Sequence, residues 1–135
     1  MLRSSQEDDA GGKRIVVIDE SRTIQIILYT CLRNGGHLVH AYGRPQEALH
    51  ALSVIQDFVP DIIFIFMGYE QGAYDFIRYV KSQTAYARTQ FVAMVLQEER
   101  ARIERTLSQS RVSYLVKPFQ VQEVLALVSA LASCP

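Results

Sequence analysis

The sequence predicts a doubly wound α/β fold, a parallel sheet of five strands with helices on both faces. Three observations carry that expectation. Short runs rich in β-branched residues alternate with segments of helical period five times along the chain. One run, Ile62 to Met67, is apolar at six positions in a row after Pro60-Asp61, as a strand buried on both faces requires. Charged or helical segments flank that run on either side, which places it in the middle of a sheet covered by helices.

The first strand is Arg14–Ile18, ending at Asp19-Glu20, with Ser21 as the N-cap of helix 1. Ile24, Ile27, Leu28, Cys31 and Leu32 repeat with helical spacing and are expected to face inward; Asn34-Gly35-Gly36 ends the helix. Strand 2 is expected at 37–42. Helix 2 starts at Pro45, a good first-turn residue, and should bury Ala48, Leu49, Leu52 and Ile55. Strand 3 follows Pro60. The loop 68–72 leads into helix 3, which should bury Ala73, Phe76, Ile77 and Val80. Strand 4 is expected at 91–96. Helix 4, at about 98–109, is charged and weakly amphipathic through Ala101, Ile103 and Leu107, with Glu98/Arg102 and Arg100/Glu104 as supporting pairs. Strand 5 is expected at 112–116. Helix 5 should bury Val121, Val124, Leu125, Val128 and Leu131.

Composition narrows the function. The 135 residues are read as one domain, 13–135, behind a loose polar leader, 1–12, that ends in Gly11-Gly12. Fourteen basic and fourteen acidic residues cancel, which argues against nucleic-acid binding as the main task. Cys31 and Cys134 are too few and too distant for a disulfide framework or a metal site, and Cys31 is expected to be a buried small hydrophobe. His37, His40 and His50 have no metal-ligand spacing. No Gly-rich phosphate loop follows strand 1. No apolar run approaches the roughly 20 residues that span a bilayer, and the first residues do not form a signal peptide. A cytoplasmic protein is expected.

Chemistry in open α/β sheets gathers at the C-terminal ends of the strands. Three features lie there: Asp19-Glu20 after strand 1, Phe66 at the end of strand 3, and Lys117-Pro118 after strand 5. An adjacent carboxylate pair could ligate Mg²⁺, and a Lys could neutralise a phosphoryl group.

The stretches IVVIDES, VPDIIFIF, YDFIRYVK and YLVKPF resemble the receiver domains of two-component response regulators, over about 13–131. The resemblance implies a flavodoxin-like sheet of strand order 2-1-3-4-5. It implies that Asp19 and Glu20 fall on the acidic pair that holds Mg²⁺, and Lys117 on the Lys that contacts the phosphoryl group. Pro118 falls on the Pro that follows, often through a cis peptide, and Tyr114 on an aromatic that changes rotamer on activation. The phosphoacceptor Asp falls on Phe66 when counted forward from Pro60-Asp61, or on Ile65 when counted back from YDFIRYVK. The Thr/Ser position falls on Leu96 or, in another register, Val95. None of these four residues has a side-chain oxygen.

A nucleophilic carboxylate is what phosphoryl transfer to an aspartate needs. Asp61 lies at the wrong end of strand 3, and Glu70 sits on a loop. The expectation is therefore a degenerate, non-enzymatic receiver with no cofactor and at best weak Mg²⁺ binding at Asp19 and Glu20. An Asp19–Lys117 ion pair would be capped by Phe66 and Leu96. A signalling partner or a second copy would meet the helix 4–strand 5–helix 5 face, with Arg100, Arg102, Glu104, Arg105, Arg111, Gln120 and Glu123 as exposed candidates. Direct DNA binding and membrane insertion are not expected. The competing readings are a phosphorelay receiver with a displaced acceptor such as Glu70, and a flavodoxin-like module that binds a small ligand at the rim.

Overall fold

A computed structural model of the chain describes residues 12–54, 58–69 and 71–133. Residues 1–11 of the leader, Ile55, Glu70 and Cys134 lie outside the described residues. The elements run β1 (Arg14–Ile18), α1 (Arg22–Asn34), β2 (Leu38–Tyr42), α2 (Pro45–Val54), β3 (Ile62–Phe66), α3 (Gln71–Lys81), β4 (Gln90–Leu96), α4 (Arg100–Thr106), β5 (Val112–Lys117) and α5 (Val121–Ala132). Short 3₁₀ turns at Met67–Tyr69, Thr84–Tyr86 and Gln97–Glu99 link some of them. The strands form one sheet in the order β2-β1-β3-β4-β5, and every pairing is parallel.

Strand β3 is central, and its apolar run divides between two cores by the alternation of a strand. Ile63 and Ile65 pack with Ala48, Phe76, Ile77 and Ile103 on the α2–α3–α4 side. Ile62 and Phe64 pack with Leu28, Leu32, Val124 and Val128 on the α1–α5 side. Asp61, just before β3, fastens the other end of the sheet. Its N–H donates to the Arg14 carbonyl at 2.7 Å, its carbonyl accepts from Gln90 N–H at 2.9 Å, and its Oδ2 accepts from Arg14 N–H at 2.8 Å.

Helix α1 is capped as expected: Ser21 Oγ accepts from Ile24 N–H at 3.2 Å. At its end Gly36 takes a φ of +93°, and His37 N–H and Gly36 N–H return to the carbonyls of Leu32 and Arg33. That closure needs a residue without Cβ.

The burial expectations need correcting: Ile24, Leu49 and Leu131 are only half-buried, and five further residues depart from them. Ile27 is exposed, and Cys31 is only half-buried. The Cys31 thiol donates weakly to the Leu28 carbonyl, and burial pushes its pKa up. Ala101 is exposed on a helix of only about two turns, in which Ile103 and the following Leu107 reach the core. Arg102 pairs with Glu99 at 3.6 Å, not with Glu98, while Arg100–Glu104 forms at 2.8 Å. Most consequential, Val121 and Leu125 are each 40% exposed. Strand β5 is the edge of the sheet, so no further strand lies under that flank of α5, and its apolar arc is wider than the surface it covers.

His37 carries a pH dependence. Its Nδ1 accepts the Lys13 backbone N–H at 2.9 Å, which only an unprotonated nitrogen can do. Burial, and then the Lys13 charge, hold its pKa below the ordinary histidine value. The unfolded chain therefore takes up the proton first, and stability falls as pH drops below about 6.5 and through the lower folded value. Melting temperatures at about pH 7.5 and pH 5 should fall further for the wild type than for His37→Gln. Equal falls would reject the role of His37.

Candidate functional site

The β1–β3 pairing puts Ile18 beside Ile65, so Asp19 and Phe66 come next on the rim, at the crevice where the direction of sheet growth reverses. Asp19 is 1% exposed. Its N–H donates to the Tyr42 carbonyl at 3.0 Å and its carbonyl accepts from Gln25 Nε2 at 2.7 Å. Oδ1 accepts the Ser21 N–H at 2.9 Å. Oδ2 lies 2.7 Å from Lys117 Nζ, which reaches over from the end of β5. The ammonium approaches off the line of a directed hydrogen bond, so this contact is an ion pair. A carboxylate this deep would be untenable without its cation.

The other side of that cation is aromatic. Lys117 Nζ stands 3.6 Å from the centroid of the Phe66 ring, well inside cation–π range. The Phe66 ring in turn folds back over Gly68, where an added Cβ would collide with its Cε2 and Cζ atoms. Glycine is required at position 68 for this close approach. Lys117 thus has a carboxylate on one side and a π-face on the other, and only 14% of its side chain is exposed.

The remaining rim residues are placed as follows. Ile65 is fully buried in the α2–α4 core, so of Ile65 and Phe66 it is Phe66 that meets Lys117. Leu96 pairs with Lys117 across β4–β5 and is half-buried, while Val95 points into the core. Glu20 is exposed, so the acidic pair is split. The Lys117–Pro118 peptide is cis. Tyr114 is half-buried beneath the Arg100 guanidinium, 5.9 Å from the ring centroid. Burial, then Glu104 and Tyr74, raise its pKa against the lowering effect of Arg100.

On the α4–β5–α5 face most of the named polar residues are locally engaged. Arg100 holds Glu104 and Arg102 holds Glu99. Gln120 and Glu123 form the capping box of α5, with Gln120 N–H donating to Glu123 Oε1 at 2.7 Å. Arg105 is exposed, and Arg111 lies at the start of β5, at the opposite end of the strand from Lys117. Sequence reasoning missed the exposed pair Val121 and Leu125. Tyr74 is buried, as the core periodicity of the aromatic residues implies, and its hydroxyl has no hydrogen-bond partner among the described residues.

No family model matches the chain, and no curated protein matches it. Solved structures do. The chemotaxis response regulator CheY4 of Vibrio cholerae superposes with a TM-score of 0.77 at 19% identity, covering 89% of this chain and 98% of that one. A response regulator from Thermotoga maritima gives 0.77 at 20%, with 91% and 99% covered. The receiver domain of a sensor histidine kinase from Pseudomonas aeruginosa, with a magnesium ion coordinated in its active-site cleft, gives 0.76 at 18%, with 91% and 99% covered. The fold is that of a receiver domain.

Within this receiver frame the residues do not fit a Mg²⁺ site. Both Asp19 carboxylate oxygens are engaged, Oδ1 by the Ser21 N–H and Oδ2 by Lys117. Glu20 is exposed and Phe66 offers no oxygen. Among the described residues no group of three His, Cys, Asp or Glu side chains could hold a metal. Mg²⁺ prefers several hard oxygen ligands and dehydrates reluctantly, so a lone exposed carboxylate is a weak ligand set. Among the described residues no helix is long and apolar enough to cross a membrane.

Proposed function

We propose that this chain is a non-enzymatic, receiver-type signalling module that works through protein contacts and not through an aspartyl phosphate. The observation that carries the reading is the position of Lys117, held between Asp19 Oδ2 and the Phe66 ring. A Lys that is to neutralise an incoming phosphoryl group must have a free approach to it. Here that approach is filled by an aromatic ring, and among the described residues the carboxylate beside it, Asp19, is buried and already paired with the lysine. Leu96, at the end of β4, offers no hydroxyl to a phosphoryl oxygen. The site reads as a rim locked in one arrangement.

The partner surface in this reading is α4–β5–α5, and the partner is a signalling protein or a second copy. What supports it is the edge position of β5, with the exposed Val121 and Leu125 on the adjoining flank of α5. Apolar residues at that density beside charged ones are the makings of an interface core with a polar rim. DNA contact has no support from the charge balance.

The test is incubation with acetyl phosphate and Mg²⁺ followed by intact-mass measurement. The wild type is expected to show no gain of one phosphate, whereas Phe66→Asp with Leu96→Thr is expected to show partial labelling. A labelled wild type, with the phosphate mapped to Glu70 or any other carboxylate, would replace this reading with a working phosphorelay receiver.

A further inference from the structure

A second concave site lies at the opposite end of the sheet from Asp19, Phe66 and Lys117. It is a cleft of about 800 Å³ beneath the N-terminal ends of β3, β4 and β5, closed on one side by the last turn of α5. That size is within the range of small-molecule sites. Four cations line it, Lys13, Lys81, Arg88 and Arg111, against one carboxylate, Asp61. Asp61 is already committed to the Arg14 N–H. None of the four cations has a carboxylate partner among the described residues, where the ion pairs are Arg78–Asp75, Arg100–Glu104, Arg102–Glu99 and Lys117–Asp19.

Two of the cations are neighbours through the Arg111 backbone. Lys81 Nζ lies 3.4 Å from the Arg111 carbonyl and 5.2 Å from the centroid of the Phe91 ring. Burial, and then the Arg111 charge, lower the Lys81 pKa, so the two positive groups repel each other in partial shelter from water. A cleft with low-dielectric walls and one sign of charge concentrates ions of the other sign. Guanidinium groups favour phosphate because their fork of donors matches its oxygens. The Ser113 hydroxyl, also in the lining and without a partner among the described residues, adds a neutral donor. Val112 and Leu131, both half-buried, supply apolar wall.

We propose that this cleft binds a small organic phosphate of nucleotide size carrying two or more negative charges. The phosphate meets Arg88, Arg111 and Lys81, and the organic body lies along the apolar wall. The site shares no residue with the rim, so it stands or falls independently of the signalling reading.

The experiment is titration of the full ¹⁵N-labelled chain with ADP, pyrophosphate and adenosine, followed by backbone amide shifts and calorimetry. ADP is expected to move the amides of Lys81, Arg88, Arg111 and Val112 while leaving those of Asp19 and Lys117 in place, and to bind more weakly as salt is raised. Pyrophosphate should move the same amides with lower affinity; equal affinity would overturn the role of the apolar wall. Arg88→Gln with Arg111→Gln, both exposed positions, should weaken ADP binding at least tenfold. ADP leaving the cleft amides unmoved, adenosine binding as tightly as ADP, or the double variant binding as well as wild type would overturn the proposal.

Discussion

Lys117→Met is expected to lower the unfolding free energy by about 3–5 kcal/mol, because it leaves a buried carboxylate without its cation. Asp19 is 1% exposed, and Lys117 is the partner of its Oδ2. Methionine keeps the length and apolar stem of the side chain, so packing changes little and the loss reports the charge. Chemical denaturation of Lys117→Met, Asp19→Asn and the double variant forms a cycle. The double variant should recover a large part of the loss, since removing both charges removes the orphan as well. A single-variant loss below about 1 kcal/mol, the usual ceiling for an exposed ion pair, would show that Asp19 is solvated and that the rim is not locked.

Phe66→Ala is expected to cost about 2–3 kcal/mol, less than a fully buried Phe because the ring is half-exposed, with part of the loss from the cation–π contact. The ring packs against the α1–α5 core and faces Lys117 Nζ at 3.6 Å. Gly68→Ala approaches the same outcome from the backbone side. Its Cβ would occupy the space of the Phe66 ring, so the ring must swing off Lys117 at a cost of about 1–3 kcal/mol. In the Phe66→Ala background the Gly68→Ala change should become nearly neutral, because the collision has gone. Additive losses in the double variant would mean that the two residues do not share the space.

Most of the fold was legible from periodicity. The run Ile62 to Phe66 could be read as a central strand because both faces of it are apolar, and the sheet has it in the middle. Ser21 could be read as a cap because its hydroxyl has one natural use at that position. Strand order was accessible only through the resemblance, since hydrophobic alternation says nothing about which strand lies beside which. Burial at the margins of α1 and α5 was misread for a related reason. A helical stripe marks which side faces the sheet, not how much sheet lies beneath it, and β5 is an edge.

The sequence by itself determined that the tip of β3 carries no carboxylate and the end of β4 no hydroxyl. Those are statements about residue type at a strand end, and the pattern of the chain is enough to make them. Tertiary structure decided what fills the space. Whether Phe66 lies over Lys117 or turns away depends on the glycine two residues later and on the reach of a side chain from a strand two positions across the sheet. The basic cleft was decided there too. Lys13, Lys81, Arg88 and Arg111 are spread over nearly a hundred positions of a chain with no net charge, and only the parallel sheet, by placing every strand start at one pole, brings them together.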